Sequence, residues 1–319
     1  MAADALLLLA FGGPESPDDV MPFLRRVTAG RGVPEERLAS VAHQYAVVGG
    51  VSPLNAHTRK LVATVTERLR AKGDPRPVYY ANRNTEPFLA EVVAQMAEDG
   101  VGRATVFVPS AYSSYSSCRQ YLDDLADAAA TVGPSAPVLE KIPPFWAESG
   151  LLDPMVDAAA GARDRLGNDA VLVATAHSLP KSMADACDYE AQLRTNLETV
   201  RTRAGFTRAE LAFQSRSGRP DVPWLEPDVG DLLEALAGRG VSRIVLAPIG
   251  FVHEHMEVIY DLDRVAVPRA EALGSAVVRI PTPGADPRFA EMVVDLFEAF
   301  DEASRAAAQR CRPDCCASR

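Results

Sequence analysis

Histidine is scarce in this chain, five in 319 residues, and three of the five stand in two short segments. These are Ala176-His177-Ser178-Leu179-Pro180 and Pro248-Ile249-Gly250-Phe251-Val252-His253-Glu254-His255-Met256-Glu257. An imidazole with an ordinary pKa of about 6.5 can accept a proton or bind a metal near neutral pH. The carboxylates of Glu254, Glu257 and Asp261 can hold a cation or pass protons. His253-Glu254 opens like a zinc-protease motif, but Glu257 stands where that motif needs its second histidine. Glu254 and Asp261 lie at i−3 and i+4 from Glu257, a spacing that predicts three carboxylates on one helical face. A solvated face and packed structural imidazoles at His253 and His255 are the bland alternatives.

Both segments end apolar runs, Ala170–Thr175 and Arg243–Ala247, which read as central parallel strands. Ligands of open α/β sheets bind beyond the carboxyl ends of such strands, so His177, His255 and Glu257 fall where this architecture does chemistry. Strand-like runs alternate with helical patterns along the chain: Leu6–Phe11 then Ser16–Thr28, Arg76–Ala81 then Phe88–Glu98, and Ala104–Val108 then Arg119–Ala130. After Pro143-Pro144 the pattern resumes, with a helix at Tyr189–Ala204, a strand near 210–214 and a closing helix at Pro287–Ala308. This is βαβ alternation. At 319 residues two domains are expected, 1–142 and 143–308, with the last helix packing back on the first domain and a tail at 309–319. The expected fold is α/β, two Rossmann-like domains, each a parallel sheet flanked by helices, facing one cleft.

A formal charge of −10 gives no reason to expect nucleic acid. The apolar run Leu6–Phe11 lacks a basic leader and is too short to span a bilayer, so a cytoplasmic protein without stable membrane insertion is expected. Such a compartment keeps thiols reduced. The crowding of Cys311, Cys315 and Cys316 then reads as metal-binding rather than disulfide-bonded.

Gly12-Gly13-Pro14 follows a strand but lacks the spacing of a dinucleotide or P-loop site, so a tight βα turn is expected. The Gly- and Pro-rich stretch from Phe213 to Pro227 is a long loop of the kind that is functional or rigidly packed, with Trp224 as a packing anchor. Ser110–Cys118, rich in hydroxyls, again follows a strand.

In combination these segments resemble the ferrochelatase family over nearly the whole chain. The resemblance rests on the HSLP motif at His177, the run from Gln214 to Pro227, and the stretch from Pro248 to Asp263. The segments LLLAFGGP, Gly49–Asn55 and Asn82–Phe88 add to it, and the pattern is closest to the actinobacterial, coproporphyrin-using branch. It implies the chelatase fold and insertion of Fe(II), as substrate, into coproporphyrin III in haem biosynthesis, with His177 and Glu257 as catalytic residues and metal ligands. Glu254 and Asp261 suit a hydrated path for iron or protons. Substrate-side positions carried over are Phe11, Arg31, Tyr45, Ser52, Arg83 and Tyr115. Arg31 and Arg83 are suited to the propionates, with a surface charge as the plain alternative. Phe11 stands where some relatives carry a tyrosine, and His253 where a small or polar residue is usual. No apolar lip insertion lies between Gly12 and Val33, which favours a water-soluble tetrapropionate substrate. The tail resembles the [2Fe-2S]-binding end of some ferrochelatases. A fourth ligand must come from within, from Cys118 in preference to Cys187. A monomer, with haem-pathway enzymes as partners, is the family expectation. A cobalt or nickel chelatase for a related tetrapyrrole and a non-catalytic porphyrin or haem carrier are the competing readings.

Overall fold

The computed structural model describes residues 3–218 and 221–300. They form two compact units. The first comprises Met1–Pro109, Arg119–Pro143 and the chain from Ala290 to the end of the described residues. The second comprises Ser110–Cys118 and Pro144–Phe289.

In the first unit β1 (Ala5–Ala10) leads through α1 (Val20–Val27), α2 (Glu35–Val47) and α3 (Leu54–Ala71) to β2 (Val78–Asn82). Then come α4 (Leu89–Glu98), β3 (Arg103–Phe107), α5 (Arg119–Val132) and β4 (Val138–Lys141). The sheet is parallel, in the order β2-β1-β3-β4. All six residues of β1 are buried, as a strand with a neighbour on each side and helices on its faces requires. The β1 turn is tight, as expected from sequence. Gly12 has φ +81°, and a Cβ there would lie 2.5 Å from Thr85 Oγ1. The buried Asn55 holds the next residue from both sides, accepting from Gly13 N (3.1 Å) and donating to Gly13 O (3.0 Å).

The second unit runs α6 (Ser149–Leu166), β5 (Val171–His177), α7 (Lys181–Asp185), α8 (Tyr189–Arg203), β6 (Ala209–Gln214) and α9 (Val229–Gly238). It continues with β7 (Arg243–Ala247), α10 (Met256–Val258), a π-helix (Ile259–Ala266), α11 (Val267–Ala272) and β8 (Ala276–Arg279). The helix α12 (Pro287–Ala299) begins in this unit and passes into the first. The second sheet is also parallel, ordered β6-β5-β7-β8, so each sheet is built in the same sequence of neighbours. Its core joins Val171, Val173, Ile244 and Leu246 to Leu232, Leu233 and Leu236 of α9 and to Val258, Leu262 and Ala266. Helix α12 is described to Ala299; the expected continuation to residue 308 and the tail at 309–319 lie outside the described residues. Among the described residues no helix is long and apolar enough to cross a membrane.

Candidate active site

His177 is the last residue of β5, paired in register with Gln214, the last residue of β6. Its Nδ1 lies 2.5 Å from Ser178 O. A carbonyl only accepts, so Nδ1 carries a proton and donates it, and Nε2 is left to do chemistry. Nε2 faces Glu257 Oε2 at 3.7 Å, an ion-pair separation too long for a hydrogen bond. Tyr189, at the start of α8, donates from its hydroxyl to His177 O (3.0 Å), fixing the backbone from the other side.

The electrostatics of the pair are reciprocal. Burial disfavours charge on the His177 imidazole, but the Glu257 carboxylate outweighs it and raises the histidine above its usual value. Burial likewise pushes Glu257 up, and His177 more than offsets it, so the carboxyl sits well below the usual range. His255, edge-on to Phe251 at 5.2 Å between ring centres, is lowered by burial and stays neutral at physiological pH. Asp261 is pushed up to about 6, mainly by burial, although Ser215 Oγ donates to its Oδ2. A carboxyl so placed takes up and releases a proton close to neutrality. Among the described residues no group of three or more His, Cys, Asp and Glu forms a ready-made metal cage.

The expected single face of three carboxylates does not form. Helix α10 begins at Met256, so Glu254 precedes it, and from Ile259 the wider π turn replaces the α spacing on which the i+4 reading depends. Glu254 turns instead to Arg279 Nη1 (2.6 Å) and accepts from Thr282 N (3.0 Å). Arg279, the last residue of β8, also binds Asp263 through Nε (2.8 Å) and Nη2 (2.7 Å). This clasp ties the segment before α10 to the π-helix. Burial works against the Arg279 charge, and Asp263 and Glu254 together outweigh it. Arg279→Met keeps the aliphatic stem and removes the cation. It is expected to cost about 2 kcal/mol, less than a fully buried pair because Asp263 is a third exposed; urea unfolding checks this. His253 is a structural imidazole: 3% exposed, edge-on to Phe289 at 6.0 Å, and packed so closely on Gly284 that a Cβ there would lie 2.2 Å from Nδ1.

The substrate-side residues carried over from the resemblance fall in different settings. Phe11 is 38% exposed and packs edge-on against Phe23, which packs in turn against Tyr45. Tyr45 and Ser52 are buried, the latter directly beneath Gly13. Arg31 is exposed in a turn between Gly30 and Gly32, both at positive φ. Arg83 is neither a surface charge nor an open carboxylate receptor. Its side chain is 11% exposed, ion-paired with Asp124, and stacked over Tyr121 (4.8 Å) and Phe11 (5.7 Å). Tyr115 lies half-buried in Ser110–Cys118. That segment is anchored within the second unit: Gln192 accepts from Ser113 N (2.8 Å), Asn196 donates to Tyr112 Oη (2.9 Å), and Tyr112 donates to Ile249 O (2.9 Å). Trp224 packs closely on Gly218, as an anchor should.

Tyr189, Arg279, Gln192 and Asn196 were not singled out from sequence. Gln214 and Ser215 were visible only as part of a motif. Their partners lie 12 to 84 residues away, beyond any local pattern.

A family model described as Ferrochelatase matches residues 3–300. The chain belongs to the ferrochelatase family. The coproporphyrin III ferrochelatase of Frankia alni is 51% identical over 315 residues, covering 93% of this chain and 80% of that one. Those of Nocardia farcinica (49%) and Mycolicibacterium vanbaalenii (47%) cover 93% of this chain and 88% and 90% of theirs. Among solved structures, the sirohydrochlorin chelatase SirB of Bacillus subtilis subspecies spizizenii in complex with cobalt superposes with TM-score 0.56. At 12% identity, with 95% of each chain covered, it establishes a common chelatase fold. SirB from Bacillus subtilis with Fe3+ gives TM-score 0.58 at the same identity, over 95% of this chain and 96% of that one. Within the family, porphyrin and iron are the substrates.

Proposed function

We propose that this protein inserts Fe(II) into coproporphyrin III, releasing two protons and giving coprohaem III for haem biosynthesis. The observation that carries the reading is the opposed pair of His177 Nε2 and Glu257 Oε2, 3.7 Å apart at a strand end. Two pyrrole N–H protons must leave as the metal enters, and the pair supplies an anion for the cation and a nitrogen for a proton. Glu257, held ionised, attracts Fe(II). A divalent charge arriving there cancels the field that keeps His177 protonated, burial then prevails, and Nε2 is freed as a base. Asp261 takes protons onward at a pKa of about 6. Binding by so few donors is weak enough for iron to pass into the ring. Phe11, Arg31, Tyr45, Ser52 and Tyr115 contribute to holding the porphyrin. Arg83, ion-paired with Asp124, lies over the Phe11 ring and would reach the porphyrin beside it.

The test is anaerobic Fe(II) insertion, followed by absorbance, into coproporphyrin III or protoporphyrin IX. Preferential turnover of coproporphyrin, lost in His177→Ala, is the expected result. Tight porphyrin binding without insertion would make the protein a carrier.

A cytoplasmic, monomeric enzyme fits this role, and a [2Fe-2S] cluster held by Cys118, Cys311, Cys315 and Cys316 is part of the proposal. The last three lie outside the described residues. Cys118 is 7% exposed and immediately precedes α5. Cys187, the alternative, donates its thiol to Met183 O at 3.3 Å. Such a cluster would anchor the terminus. The visible absorbance and two irons and two sulfides per chain should vanish in Cys118→Ser and persist in Cys187→Ser.

A further inference from the structure

The two groups of the reacting pair come from different elements, His177 from a strand and Glu257 from the first turn of α10, and nothing in either element sets the gap between them. One residue is tied to both elements, through its main chain on one side and its side chain on the other. Gln214 is 1% exposed, and its Nε2 donates to Glu257 O at 3.1 Å and reaches Asp261 Oδ2 at 3.5 Å. Its own backbone carbonyl accepts from Ser178 N at 2.8 Å, one residue past His177, while the β5–β6 register sets Gln214 directly beside His177. The two acceptors facing Nε2 also fix which way the amide points. The next residue, Ser215, is the one non-glycine residue at positive φ among those described (φ 62°), and its hydroxyl is turned onto Asp261. A serine in the left-handed region is backbone strain, held where it places a hydroxyl on the π-helix.

We propose that Gln214 is a positioning residue that sets the spacing between His177 Nε2 and the Glu257 carboxylate. Its main chain is tied to the histidine strand and its side chain to the backbone of the glutamate turn, so the amide acts as a strut of fixed length. The chemistry stays with His177 and Glu257. Gln214 works only through where Glu257 stands. The inference rests on the reading of His177 and Glu257 as the reacting pair.

Gln214→Met keeps the shape of the side chain and removes the donor; Gln214→Asn keeps an amide but withdraws it by one methylene. Each is compared with wild type in single-turnover Fe(II) insertion into coproporphyrin III, alone and combined with Glu257→Ala. Both variants are expected to lower kcat roughly thirtyfold, between the effect of one lost hydrogen bond and that of an ångström of misplacement, with KM for the porphyrin within about twofold. In the Glu257→Ala background neither should lower the rate further, because the group being positioned is gone. Losses that multiply, or wild-type kcat in Gln214→Asn, would overturn the proposal. A Glu257→Ala enzyme that turns over normally would overturn the underlying reading instead. Having two variants keeps the test open if one of them folds poorly, as near-UV circular dichroism would reveal.

Discussion

Replacing Glu257 with glutamine is expected to lower kcat/KM for metal insertion about a thousandfold, within the range lost when a positioned acid or base is removed. The same change should move the acid limb of the remaining activity to lower pH. The sign follows from the pair. In the wild type His177 lies above its usual 6.5 because the negative charge of Glu257 outweighs burial. Nε2 is therefore protonated in the free protein until the pH passes that raised value, and the limb falls above 6.5. With glutamine at 257 the opposing charge is gone, burial becomes the dominant influence, and the imidazole gives up its proton at lower pH. The profile of kcat/KM reports the free enzyme, so it reads this shift directly. An acid limb that stayed in place or moved upward would remove His177 from the role of base.

The second large effect concerns a glycine remote from proton transfer. A Cβ at Gly250 would lie 2.5 Å from Ala176 Cβ and 2.6 Å from Ala176 Cα, and the second of these is backbone that cannot swing away. Gly250 N also donates to Thr175 O at 3.0 Å, so the loop after β7 is bonded to the strand end it presses against. Gly250→Ala is expected to destabilise the protein by about 3 kcal/mol, the upper part of the range for overpacking. It should also depress turnover in whatever fraction folds, because Ala176 is the residue before His177. Gly238→Ala is the control: nothing lies within 4 Å of the added carbon, and its cost should be near zero. Urea midpoints and turnover of the two variants check both statements.

Much of the scaffold was legible because parallel strands buried on both faces write themselves as uninterrupted apolar runs. Ala170–Thr175 and Arg243–Ala247 were found this way, and the structure shifts the first to Val171–His177. The two helices α2 and α3 were not singled out. Only Leu38 and Tyr45 of α2 are buried, and α3 carries polar Asn55 and Thr58 among its buried residues, so neither shows a plain apolar stripe. At the site, the strand-end position of His177 could be read from the apolar run before it, while the roles expected of His177 and Glu257 came from the resemblance. The place of Glu254 could not be read, since its fate depends on Arg279, 25 residues further on, and on a π turn that no residue pattern announces. The ion pair of Arg83 was invisible for the same reason: its partner Asp124 lies on α5, 41 positions away by number and unconnected in any local motif.

The chain does not keep its two units in two pieces. Ser110–Cys118 lies in sequence between β3 and α5 of the first unit yet belongs to the second, and α12 starts in the second unit and continues in the first. A cut after Pro143 would take Tyr112 and Ser113 away from Asn196 and Gln192, stranding two buried amides, and would strip the first half of its C-terminal helix. Neither half is therefore a transplantable module. The chain has to fold as one piece, and its apparent midpoint is no place for a cut.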